Sequence, residues 1–296
     1  VTSIEEDIPI PLALVESTPL IGATAAWAAG YSGAGQAVAI LDIGVDKTHP
    51  FLAGKVISEA CYSTNDPQSQ SVSLCPGGAD HSTAPDSGAN CAGCNHGTHV
   101  AGIVAGRGTA FSGVARDAQI IAIQVFSQAK SEAVCGQGKA PCTIAWTSDE
   151  LRGLERVLDL SGSLNIAAAN MSLGGTQKYT GVCDSGSPAM ATVIAQLRTK
   201  GIATIIASGN SGYTDGISFP ACISGAISVG STDDGSFGTV ADAVSDYSNS
   251  SAALDLLAPG RWIYSSIPGG SFLNLAGTSM AAPHVAGAWA VLKSKY

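Results

Sequence analysis

Five runs of this chain lack the apolar–polar alternation of a half-exposed strand: QAVAILDI (36–43), AQIIAIQVF (118–126), NIAAANMSLGG (165–175), IATIIASGN (202–210) and GAISVGS (225–231). Such strands need cover on both faces, which is the condition of a parallel sheet between helices. Helical stretches separate them. HGTHVAGIVAG (96–106) is rich in small residues at helical spacing. The stretch 147–162 has Thr147 or Ser148 as a cap, Asp149 and Glu150 for its first turn, and Gly162 for its end. The stretch 187–201 has Pro188 near its start and Gly201 at its end, and a last helix begins near Ser279. The pattern predicts an α/β fold in three layers, α/β/α, around a mostly parallel central sheet. Asp42, Asn170 and Asn210 stand just past strand ends, where open parallel sheets bind their ligands. No repeat or linker divides the chain, so residues 13–296 are expected to form one domain.

Composition narrows the function. The chain has 296 residues, 45% of them hydrophobic and 12% charged, with net charge −9. That suits a globular chain with a sizeable core. It argues against a nucleic-acid partner, which calls for a basic stripe, and against an anionic membrane surface. The apolar run 280–292 is too short to span a bilayer and contains Pro283 and His284. Eight cysteines, an even number, point to disulfides and so to a secreted protein, extracellular or periplasmic. The chain begins at Val1 without a basic-then-apolar leader, which suggests that any signal peptide has been removed. Two long loops, 58–95 and 127–147, call for a staple or a function, and cysteines fall in both.

The stretch CAGCNHGTHVAG (91–102) places Cys91, Cys94, His96 and His99 close together. A zinc reading fails on spacing. Cys2His2 sites separate the two pairs by about 12–15 residues so that the chain can wrap the metal. Here only Asn95 stands between Cys94 and His96. A redox C-x-x-C is disfavoured by its place in a polar loop. Half-cystines beside a functional histidine are the better reading.

Four motifs offer chemistry: LDIGVD (41–46), NHGTHVAG (95–102), ASGNSG (207–212) and AGTSMAAPHVAG (276–287). A serine is a weak nucleophile until a base takes its proton, and an imidazole does so when a carboxylate holds its tautomer. Asp42, His96 and Ser279 supply these groups in the order Asp, His, Ser. An α/β-hydrolase needs an acid after its serine, and none follows Ser279. Taken singly, such an acid is a turn residue, such a serine or asparagine a helix cap, and such a histidine a core residue. That last reading is kept for His99 and His284. Four of them in compatible order outweigh it.

These motifs resemble those of the subtilisin-like serine endopeptidases, the subtilases, whose own order is Asp, His, Ser. The resemblance runs over roughly 20–293 and includes SLGG (172–175) and LAPG (257–260). It implies that Asp42 orients the base, His96 is the base, Ser279 is the nucleophile and the Asn210 amide stabilises the oxyanion. Pro283, which lacks an N–H, is expected in the first turn of the last helix, so that the Ser279 N–H faces the reacting carbonyl. Thr278 could add a hydroxyl. A relative that only binds peptides would have lost one of the four residues, and none is missing. The resemblance further implies that Ser172, Leu173, Gly174 and Gly175, with Ser208 and Gly209, line the specificity pocket, that Ser211 and Ser218 lie at its neutral base, and that Phe219–Pro220 is cis. Cys183 is expected to pair with Cys222 and Cys135 with Cys142. Cys61, Cys75, Cys91 and Cys94 then pair among themselves in one of three ways.

The chain departs from the family at Ile43, where a Ser or Thr usually helps hold the acid, and at Phe51, where many relatives carry a calcium-ligating Asp. Catalysis needs no cofactor; structural calcium would have to do without that site, and the metal content stays unknown. Asp215, Asp233 and Asp234 read as solvated turns. Residues 1–9 resemble the last strand of an inhibitory propeptide, so 1–12 are expected to be a propeptide remnant or an N-terminal extension. The implied partners are protein and peptide substrates and the propeptide of a zymogen, with no nucleic acid and no membrane; a monomer is expected.

Overall fold

The computed structural model describes residues 13–295. The segment 1–12, expected as an extension or propeptide remnant, lies outside the described residues. At the centre is an eight-stranded sheet, in spatial order Leu256–Pro259, Ile227–Thr232, Ala203–Ala207, Ile166–Met171, Ala37–Asp42, Gln119–Gln124, Val56–Tyr62 and His81–Ser82. Every neighbouring pair runs parallel except the last, which is antiparallel. The five runs without alternation supply five of these strands.

Strand Ala37–Asp42 shows why the sheet must be covered twice. Its side chains alternate between two cores. Val38 and Ile40 join one cluster with Val100, Val104, Met280 and Ala281, against the helices His96–Ala105 and Thr278–Lys293. Ala39 and Leu41 join the other, with Leu154, Val157, Ile194 and Leu197 from Thr147–Leu160 and Pro188–Thr199. Small residues set how closely the layers approach. A Cβ on Gly153 would stand 2.9 Å from Leu41 Cδ2, and one on Gly97 only 2.2 Å from the Gly44 carbonyl. Gly97 therefore lets the His96 helix rest on the end of the Asp42 strand.

Local signals hold unevenly. Pro188 opens its helix and Gly201, at φ +71°, follows its end. Thr147 and Ser148 are not caps: the helix begins at Thr147 and Trp146 occupies the cap without a side-chain bond. Its first-turn acids are not solvated either. Asp149 is 1% and Glu150 5% exposed.

The disulfides are Cys61–Cys75, Cys91–Cys94, Cys135–Cys142 and Cys183–Cys222, and no described cysteine is free. No distant cysteine reaches back to Cys91 or Cys94; they close a local loop on each other. Their sulfurs are thus unavailable as thiolate ligands, which removes the zinc reading. Among the described residues no helix is long and apolar enough to cross a membrane.

Candidate active site

Asp42 ends its strand, buried at 1% exposure. Its Oδ1 accepts the Ile43 N–H at 2.8 Å, and both carboxylate oxygens lie 2.9 Å from His96 Nδ1. Ile43 carries no hydroxyl, so this position bonds the carboxylate through its backbone N–H alone. The carboxylate fixes Nδ1 as the protonated nitrogen and leaves Nε2 with a lone pair able to accept a proton.

Burial pulls the His96 pKa down, and the charge and hydrogen bond of Asp42 more than offset it, leaving the value above the ordinary 6.5. The ring is about one-third exposed along the cleft, and water there supports the same direction. A general base works when neutral, so activity should rise with pH through this raised value. The acid limb of kcat/KM is expected above pH 6.5, and Asp42→Asn should move it down. A limb at or below 6.5 that is unmoved by D42N would refute the assignment.

Ser279 is the second residue of the helix Thr278–Lys293, where backbone N–H groups have no intrahelical acceptor. Pro283 is not in the first turn but sixth in this helix. Its missing N–H leaves the carbonyl four residues back, that of Ser279, without a helical donor. Ser172 fills the gap: its Oγ donates to the Ser279 carbonyl at 2.7 Å and accepts from Asn170 Nδ2 at 2.9 Å. In return, Ser279 Oγ donates to the Ser172 carbonyl at 3.1 Å. The hydroxyl makes no hydrogen bond to the His96 ring in this arrangement.

Asn210 lies exposed in the loop after strand Ala203–Ala207. Its Oδ1 accepts the Thr278 N–H at 2.8 Å and the Thr278 hydroxyl at 2.9 Å. Two donors on that atom determine the amide's orientation, so Nδ2 is left free as a donor. The Thr278 hydroxyl, which also accepts the Gly209 N–H, is committed to this loop and not to an oxyanion.

Asp42, His96, Ser279 and Asn210 share one cavity of about 420 Å³. Ser172, Leu173, Gly174, Gly175, Gly209 and Ser211 line it, together with Thr176 and Ala207. Ser208 and Ser218 do not: both are fully buried, bonded to Asn249 behind Gly209. Phe126 and Thr143 form a wall that sequence reasoning missed. They belong to the small antiparallel sheet Ser71–Ser73, Phe126–Ala129, Cys142–Ala145, and Cys142 beside Thr143 was the available signal. Apart from Asp42 and His96 the lining carries no titratable side chain.

His99 and His284 pack. His99 Nε2 faces the carbonyls of Ile263 and Leu273, its Nδ1 is buried without a partner, and burial lowers its pKa to about 3. His284 bridges the Met280 carbonyl and Ser17 Oγ, with a pKa lowered by burial to about 4. Phe51 packs among the rings of His49, Phe111 and Phe272, with Gly106 tight against it. That pocket offers rings and not oxygens, so it does not fit calcium. Asp233 and Asp234 are not solvated turns: Asp233 pairs with Arg261 and Ser245, and Asp234 is buried against Ser236. Asp215 is exposed and pairs with Lys178.

A buried carboxylate holding an imidazole, with a serine at a helix start and a free amide donor across one cleft, on a parallel α/β sheet, defines the site of a serine hydrolase. The chain belongs to the subtilase family, whose profile matches residues 33–296. It is 32% identical over 266 residues to thermitase of Thermoactinomyces vulgaris, covering 89% of this chain and 76% of that protein. It is 31% identical over 288 residues to the major intracellular serine protease of Bacillus subtilis (strain 168), covering 95% of this chain and 75% of that protein. A solved structure, that of a cold adapted subtilisin-like serine proteinase, superposes with a TM-score of 0.64 at 26% identity, over 90% of this chain and 77% of the other. The protein is thus a subtilisin-like serine endopeptidase, a hydrolase of peptide bonds.

Proposed function

We propose that the protein is a secreted endopeptidase in which Asp42, His96 and Ser279 form the catalytic triad and Asn210 completes the oxyanion hole. The observation that carries this reading is the pair of 2.9 Å contacts from Asp42 to His96 Nδ1, on the same cavity as Ser279 and Asn210. An extended peptide would lie between Ser172–Gly175 and Thr143, bonding through its main chain. A substrate N–H that takes the Ser172 carbonyl displaces the Ser279 hydroxyl, which then turns to His96 Nε2. Oγ attacks the scissile carbonyl while Nε2 takes its proton; the oxyanion sits between the Ser279 N–H and Asn210 Nδ2. Collapse breaks the C–N bond, His96 returns the proton to the leaving amine, and water hydrolyses the acyl-enzyme by the same steps. The uncharged lining favours uncharged side chains before the cut. Four disulfides in a chain of this size support export. The 1–12 segment as a propeptide remnant, and a monomeric enzyme that needs no cofactor, belong to the same reading.

A fluorophosphonate probe should label Ser279 alone, and His96→Ala should slow that labelling sharply. Cleavage-site profiling on a peptide library should then show uncharged residues before the scissile bond. Labelling at another residue, or strict cutting after Arg, Lys, Asp or Glu, would count against the proposal.

A further inference from the structure

Among the described residues, the exposed Asn210 side chain hydrogen-bonds to Thr278 alone. The loop that carries it is held instead by a residue that the motifs do not include. Asn249 is fully buried. Its Nδ2 donates to the Ser208 carbonyl and to Ser218 Oγ, each at 3.1 Å. Its Oδ1 accepts the N–H of Ser211 at 2.9 Å and of Tyr213 at 3.1 Å. Its backbone N–H donates to the Gly209 carbonyl at 2.9 Å, and its carbonyl accepts from Ser208 Oγ at 2.9 Å. Residues 208, 209, 211 and 213 are therefore all tied to one side chain and its backbone, whereas residue 210 between them bonds to Thr278 instead. The side-chain amide has made all four of its ordinary hydrogen bonds, and the facing carbonyl and N–H groups leave its orientation in no doubt.

Gly209 makes room for this. It sits at φ +106°, and a Cβ there would come 2.3 Å from Asn249 Nδ2 and 2.5 Å from Ser218 Oγ. The amide thus lies directly behind the cleft wall without facing the cleft.

We propose that Asn249 is the positioning residue of the oxyanion hole: it holds the 208–213 loop so that Asn210 Nδ2 stands where negative charge develops. This rests on the oxyanion role proposed above for Asn210. A donor of this kind contributes only when it is placed before the reaction begins, and losing it costs ~10²–10³ in turnover, a figure that comes from subtilisin itself. Asn249 acts through Asn210, so its removal cannot cost more through this route. Thr278 still holds the other side of the amide, so the loss should be partial.

The test is a double-mutant cycle on kcat and KM with a peptide anilide substrate. Asn249→Ala should lower kcat about 10-fold and leave KM within about 3-fold, because the interaction is made in the transition state. In an Asn210→Ala background the same change should cost less than about 2-fold, because the group it positions is gone. Binding of a peptide aldehyde, which forms a tetrahedral adduct, should weaken by the same factor as kcat. Asn249→Ser, which keeps one hydroxyl toward the loop, serves the same cycle if the alanine variant unfolds. An equal loss in both backgrounds would overturn the assignment and make Asn249 a general packing residue. Full kcat in Asn210→Ala alone would instead overturn the oxyanion reading beneath it.

Discussion

Ser279→Ala is expected to lower kcat by on the order of 10⁶, and His96→Ala to lower it by about as much. Those magnitudes were measured in subtilisin, to whose family this chain belongs. The informative result is the double variant, which should be no slower than either single one. The serine and the imidazole act in one proton transfer, so removing either removes both contributions, and what remains comes from the oxyanion hole and substrate binding. Asp42→Asn should cost less, roughly 10⁴, since the imidazole persists in the wrong tautomer. Single-turnover assays on a peptide substrate, with the fold checked by circular dichroism, separate the cases. Additive losses would mean that the two residues do not work as a unit, and substantial cleavage by the Ser279 variant would end the mechanism proposed here.

Glu150→Gln should make the protein more stable in mild alkali while changing little in weak acid. Glu150 is 5% exposed, its Oε2 has no hydrogen-bond partner, and burial together with the neighbouring Asp149 raises its pKa from 4.5 to about 8. Below pH 4.5 the group is protonated in the folded and the unfolded chain and costs nothing. Between 4.5 and 8 the unfolded chain releases the proton and the folded chain keeps it, so stability falls as pH rises. Above 8 the full difference applies. At 1.36 kcal/mol for each tenfold step, the gap between 4.5 and about 8 corresponds to roughly 5 kcal/mol. Glutamine has nearly the same shape and no charge to bury, so most of that loss should disappear. Urea unfolding at pH 5, 7 and 9, in a Ser279→Ala background that prevents self-digestion, measures it. Parallel pH dependence in the two proteins would show that Glu150 is not the group responsible.

Glu150 also shows where sequence reasoning stops. An acid in a first turn is read as a partner for the helix dipole in solvent. Here the turn follows closely on the strand Cys142–Ala145, and the acid is buried in the fold. Pro283 carries a similar lesson. Its missing N–H is legible in the sequence and points to a helix start. The helix continues through it because Ser172 supplies the donor that the proline lacks. Ser218, which the resemblance implies at the pocket floor, lies one layer deeper, fully buried and bonded to Asn249. By contrast, the parallel strands and the residue types at their ends were legible, because continuous apolar runs and strand-end polar residues are local properties.

The layered sheet, the four chemical types of the site, their order along the chain and the family are all legible in the residues themselves. Each is carried by a handful of adjacent residues. Only folding brings Cys91 and Cys94 onto each other, rests the Ser279 hydroxyl on the Ser172 carbonyl, sets Phe51 among rings, and ties the 208–213 loop to one buried amide. Most of these depend on partners far apart in the chain, 107 residues from Ser172 to Ser279 and 41 from Ser208 to Asn249. No local pattern records such a pairing; it exists only once two cores have packed and brought the strand ends into one cleft.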